Sequence, residues 1–171
     1  KALTEELPFR DSIRNIDSFL DEKPSSNISE FSKEFDSVES AKKLALYLFN
    51  ESLIAFGQDL KNEHQVMEML ADIFTDIYSA ESAIIRTKKI MDSDNPIPTT
   101  KDISIVFISE MVGRIITKTH SILNTLYDGS VSEDIIAKVS KFEKRMRLPV
   151  NAVQLKRNIA EYVFDQKKYP Y

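Results

Sequence analysis

Between Val66 and Ile84, apolar side chains recur as Val66, Leu70, Ile73, Ile77, Ala80 and Ile84, at steps of 4, 3, 4, 3 and 4 residues. At 3.6 residues per turn these positions stay on one side of an α-helix, whereas at the two-residue period of a strand they scatter over both faces. A seam of this length must be buried against other helices to be stable in water. Phe74, Tyr78 and Ile85 stand beside it and widen the expected apolar stripe to roughly 160°.

The rest of the chain reads in the same way. Its 171 residues include only three glycines, too few for a strand-rich fold with many tight turns or for a glycine-rich phosphate loop. Asn27 and Glu30 have capping-box spacing and open a helix over residues 28–60. Asn62 and Gln65 open a second over 63–92, which Pro96 and Pro98 must end. A third begins near Lys101 with Ile108, Val112, Ile115, Thr119, Ile122 and Leu126 on one face, and closes with Gly129 at the C′ position. Ser130 with Glu133 opens a shorter helix to Arg147, and Asn151 with Gln154 opens the last. Long helices joined by short turns pack antiparallel. The predicted fold is therefore all-α: an up-and-down antiparallel bundle of two or three long helices with shorter C-terminal ones, over residues 28–171. Residues 1–27 read as an N-terminal segment and linker holding a short helix over 11–21. Ile13, Ile16 and Leu20 share one face of that helix, which is expected to dock within the chain, with self-association as the second choice.

Composition narrows function further. Apolar residues make up 42% and charged residues 29%, a globular balance. The net charge of −4 gives no reason to expect a nucleic-acid partner, and no cysteine is present for a disulfide or a thiolate metal site. No apolar run approaches the ~20 residues of a membrane span. "KALTEELPF" has no apolar signal core, and a first residue other than Met is expected of a fragment.

Three acids interrupt the second helix. Asp72 and Asp76 fall one turn apart at the edge of the widened stripe, and Glu81 falls inside it, between the rows of Ile77, Ile84 and of Phe74, Ile85. A buried carboxylate needs a cation or a proton, so Glu81 is expected to be a buried structural acid paired across helices, with Arg114 and Arg157 as candidate partners. A di-iron site needs Glu-x-x-His on two helices, but Lys61 precedes His64 at that spacing and Thr117 precedes His120. No metal ligand and no catalytic residue is assigned, since no Gly-x-Ser-x-Gly and no His–carboxylate pairing stands at recognisable spacing. The segment "KVSKFEKRMR" is amphipathic, with Val139, Phe142 and Met146 on one face. Its cations Lys138, Lys141, Lys144, Arg145 and Arg147 form a candidate interaction surface for anionic lipid, an acidic protein face or an acyl-CoA phosphate. The plainer reading is a basic C-terminal turn that complements the helix dipole.

The stretch "EHQVMEMLADIFTDIYSAESAIIRTKKI", through its "LAD" at 70–72, "DIY" at 76–78 and "AESAIIRTKK" at 80–89, resembles a helix in the C-terminal extension of long bacterial acyl-CoA dehydrogenases related to the very-long-chain enzymes. The tail "LPVNAVQLKRNIAEYVFDQKKYPY" is similar to the ending of the bacterial members, which makes Tyr171 the expected native terminus. The resemblance implies a non-catalytic helical domain that braces an FAD-dependent dehydrogenase core of fatty-acid β-oxidation. FAD and the catalytic glutamate then belong to that core and none of their residues to this chain; Glu81 sits in a packing motif. The implied partner is the dehydrogenase core of the same polypeptide, in a bacterial cytoplasm, with a homodimer and a peripheral membrane surface as secondary expectations. Alternatives from other classes are a free-standing helical adaptor and a bundle that binds an acyl ligand.

Overall fold

The structure is a computed structural model that describes residues 13–22 and 31–167, and among these all regular secondary structure is helical. The elements are α1 (Ile16–Asp21), α2 (Ser32–Phe56), a 3₁₀ turn (Gly57–Asn62), α3 (His64–Met91), α4 (Thr100–Leu126), α5 (Glu133–Met146) and α6 (Ala152–Gln166). The long helices α2, α3 and α4 pack on one another, α5 lies on α2, and α6 lies on α4.

All six seam residues of α3 are buried. They meet Leu44 and Leu48 of α2 and Ile108, Met111, Ile115 and Ile122 of α4 in one continuous core. Each fully buried Ile or Leu contributes about 1.5–3 kcal/mol relative to exposure, so this seam is the main cohesive surface of the bundle. The pairing of α3 with α4 is antiparallel, with Asp72 opposite Lys118 and Asp76 opposite Arg114, so that four residues forward on one helix match four back on the other.

Where the chain departs from its local signals, the backbone shows why. The first long helix stops at Phe56, because Gly57 adopts φ 54° and the chain continues as a 3₁₀ turn through Asn62. Leu60 is buried from that turn, so its apolar period was real although the α-helix had ended. Asn62 is consequently not a cap, and Glu63 holds the N-cap position of α3. Ser132, rather than Ser130, precedes α5. At the end of α4 both Asp128 (φ 48°) and Gly129 (φ 75°) are left-handed. The Gly129 N–H donates to the Asn124 carbonyl at 2.9 Å, a Schellman closure with Gly129 one place beyond C′. Asn151 does cap α6, its side-chain oxygen accepting from the Gln154 N–H at 3.1 Å. The expected cap of Asn27 with Glu30, and the expected linker at 23–27, lie outside the described residues.

α5 presents Val139, Phe142 and Met146 to the core. The Ser37 hydroxyl of α2 donates to the carbonyl of Met146 at 2.6 Å, satisfying one of the orphan carbonyls at the end of α5. The Phe142 ring stacks on Tyr47 with centroids 6.3 Å apart. Tyr127, just past α4, donates its hydroxyl to Glu51 of α2; burial together with that hydrogen bond pushes its phenol up to about 12.

The short N-terminal helix is observed over Ile16–Asp21, and it folds inward. Ile16 and Leu20 are buried in the same core as α2–α5, with Ile13 and Phe19 partly covered beside them. Replacing Ile16 by Ala should therefore lower the stability of the chain by about 2 kcal/mol, toward the low end for a core truncation because a short terminal helix can relax. Asp17→Ala, at an exposed ion pair, should change it by about 0.5 kcal/mol or less. Equal denaturation midpoints for the two variants would contradict the docking of α1.

Candidate functional site

The acids that open the question of chemistry are all tied to neighbouring helices. Asp76 accepts from Arg114 through both carboxylate oxygens, at 2.7 to 3.2 Å. That hydrogen-bonded contact raises the Arg114 guanidinium above its usual value. Asp72 meets Lys118 at 3.0 Å. Glu81 lies 2.6 Å from Lys42 of α2, with 37% of its side chain exposed.

Glu81 is therefore not a buried acid, and neither expected cation is its partner. Arg114 is held by Asp76, and Arg157 is exposed on α6. The cause lies in the width of the stripe. Phe74, Tyr78 and Ile85 were counted with the core, but they are 42%, 73% and 48% exposed. Without them the buried stripe shrinks to the six-residue seam with Thr87 continuing it, and Glu81 moves from its interior to its edge, where Lys42 reaches it.

The basic residues of α5 are distributed between the chain itself and solvent. Lys138 pairs with Asp17 and Lys141 with Asp21, each at 2.8 Å. Arg145 lies 4.2 Å from the centroid of the Phe19 ring and donates to the Glu22 carbonyl. Three of the five cations thus hold α1, and the hydrogen bond and charge of Lys141 hold the Asp21 carboxyl below its usual range. Lys144 and Arg147 remain exposed. The amphipathic pattern gave no sign of this use, because the partner acids stand some 120 residues away in sequence.

No group of three His, Cys, Asp or Glu side chains among the described residues is placed to hold a metal ion. His120 instead meets Glu143 across α4 and α5 at 2.8 Å. No described helix is long and apolar enough to cross a membrane.

An apolar groove of about 440 Å³ lies between the C-terminal half of α3 and the N-terminal half of α4. Ala83, Ile90, Ile103 and Phe107 give it apolar walls, and Arg86 is its charged lining residue. Thr100 and Ser104 also line it, and their buried hydroxyl oxygens have no hydrogen-bond partner among the described residues. Beside the groove, the outward face of α3 bears Met67, Phe74, Tyr78 and Ile85, all substantially exposed. This uncovered row is the feature that period alone misses: the apolar stripe takes in Phe74, Tyr78 and Ile85 as core and leaves Met67 out.

The profile of the family described as acyl-CoA dehydrogenase, C-terminal domain, matches residues 40–141, more than half of the chain. A probable acyl-CoA dehydrogenase of Bacillus subtilis (strain 168) is 25% identical over 175 aligned positions, which span 99% of this chain and 29% of that protein. The crystal structure of an acyl-CoA dehydrogenase complexed with FAD from Bacillus anthracis superposes with a TM-score of 0.79 at 22% identity, over 100% of this chain and 29% of that one. The chain thus spans less than a third of the length of the relatives it matches.

The corrected place of Glu81 changes the expected cost of removing it. Glu81→Ala should cost about 1 kcal/mol or less, comparable with Asp72→Ala, because both acids pair at the solvent boundary. A loss of about 3–5 kcal/mol for Glu81→Ala alone, measured by urea denaturation, would restore a buried pair.

Proposed function

The chain belongs to the family of acyl-CoA dehydrogenase C-terminal domains, and from this we propose that it is the non-catalytic helical domain of a larger FAD-dependent acyl-CoA dehydrogenase, where it braces the catalytic core. The observation that carries this reading is the match over residues 40–141 in a chain that corresponds to 29% of its longer relatives. In this reading the parent enzyme oxidises acyl-CoA thioesters in fatty-acid breakdown, in the cytoplasm of a bacterium.

Among the described residues, the groove between α3 and α4 does not fit FAD. The groove between α3 and α4 has Arg86 as its one charged lining residue. No glycine-rich turn stands beside it to present backbone N–H groups to a pyrophosphate, since Gly57, Gly113 and Gly129 lie elsewhere. The ion pairs Asp72–Lys118, Asp76–Arg114 and Glu81–Lys42 tie helix to helix, and none joins a nucleophile to a base. In this reading flavin chemistry belongs to the part of the enzyme outside this chain, and no reaction step is assigned to residues 1–171.

The native polypeptide recognised by an antibody raised against residues 1–171 is expected to be more than three times the 19.6 kDa of this chain, by proportion with its relatives. That polypeptide should carry flavin and reduce a dye with palmitoyl-CoA, while the 171-residue chain alone does neither. A native product of 19.6 kDa would favour a free-standing adaptor. Stoichiometric flavin on the chain alone would overturn the non-catalytic assignment.

A further inference from the structure

The outward row of α3 is built differently from the rest of the surface. Met67, Phe74, Tyr78 and Ile85 follow one another at 7, 4 and 7 residues, so they line up along one side of the helix. They are 38%, 42%, 73% and 48% exposed. The exposed positions beside them are Ala71, Thr75 and Ser82, which are small and uncharged. From Met69 to Ile85 the charged residues of α3 are Asp72, Asp76 and Glu81, and each is bound to a cation of α2 or α4. Every charge in this stretch is thus paired with a neighbouring helix, and from Met69 to Ile85 the side facing water carries no charge of its own. Isolated exposed apolar residues are ordinary, but a contiguous row rimmed by charge is the composition of an interface: aromatic residues and Met at the centre, charge excluded to the edge.

Next to the row, Ser82 and Arg86 lead into the apolar groove, where the buried hydroxyls of Thr100 and Ser104 have no partner among the described residues. An apolar row with an apolar groove beside it is what a protein surface looks like with its neighbour taken away.

We propose that the outward face of α3 from Met67 to Ile85, with the adjoining groove, is the docking surface for the upstream part of the same polypeptide. The proposal rests on the reading of the chain as one domain of a longer dehydrogenase. The length of chain outside the structure argues for this occupant, since the relatives matched here are more than three times as long. The docked segment lays apolar side chains along the row and into the groove, whose walls are Ala83, Ile90, Ile103 and Phe107. A second copy of the chain is the rival occupant, and links between copies distinguish it from the upstream segment.

The test is photo-crosslinking in the full-length polypeptide, with benzoyl-phenylalanine placed at Tyr78 or, as a control on another exposed aromatic, at Phe164 of α6. Mixing isotopically light and heavy chains separates links within a chain from links between copies. The proposal expects Tyr78 to capture residues upstream of Lys1 in its own chain, at a yield at least several-fold above Phe164. Links from Tyr78 confined to residues 1–171 of another copy overturn it in favour of a dimer face. Upstream capture from Phe164 but not from Tyr78 overturns the surface while leaving the bracing role intact. Capture of upstream residues from neither position overturns both.

Discussion

The burial of one side of α3 organises this chain. Val66, Leu70, Ile73, Ile77, Ala80 and Ile84 stand in the middle of a three-helix contact, and both α2 and α4 are placed by what they bring to that seam. Because the seam is continuous over five turns, it fixes the register of both neighbours. The ion pairs Asp72–Lys118, Asp76–Arg114 and Glu81–Lys42 then fall along its two margins. These pairs are partly exposed and individually small contributors, so they select register more than they supply stability. The fork between Asp76 and Arg114 has the best geometry of the three, being two-pronged and on a carboxylate that is 16% exposed.

The peripheral helices depend on this centre in turn. α5 reaches the core through Val139, Phe142 and Met146 on α2 and is locked at its end by Ser37. α1 is held on α5 by Ile16 and Leu20 below and by Lys138, Lys141 and Arg145 above. α6 buries no residue fully and is joined to α4 by Lys156–Glu110 at 2.6 Å. Cohesion therefore falls off outward from α3, which places the firmest scaffold directly behind the row that faces away from the bundle.

Much of this was legible in the sequence because it is local. Periodicity placed α3 and α4 within a residue of their observed ends, and Asn151 announced α6 by a contact three residues long. The end of α2 was not legible, since Leu60 continued the apolar period through a 3₁₀ turn. The site was harder still. Whether Phe74, Tyr78 and Ile85 face a neighbour or water depends on how many helices surround α3, and that number is a property of the assembled bundle. The misplacement of Glu81 followed from the same cause. The docking of α1 on the basic helix joins residues far apart in the chain, and no spacing rule reaches that distance.

α3 thus has two working sides, an inner seam that holds the domain and an outer row made for a neighbour. Oxidative footprinting of side chains, performed on the 171-residue chain and on the full-length polypeptide, tests this most directly. In the chain alone Met67, Phe74 and Tyr78 should be labelled readily and the core residue Met111 should not. In the full-length protein the labelling of all three should fall several-fold, while Phe164 stays as reactive as before. Equal labelling of Met67, Phe74 and Tyr78 in the two forms would contradict a covered outer face.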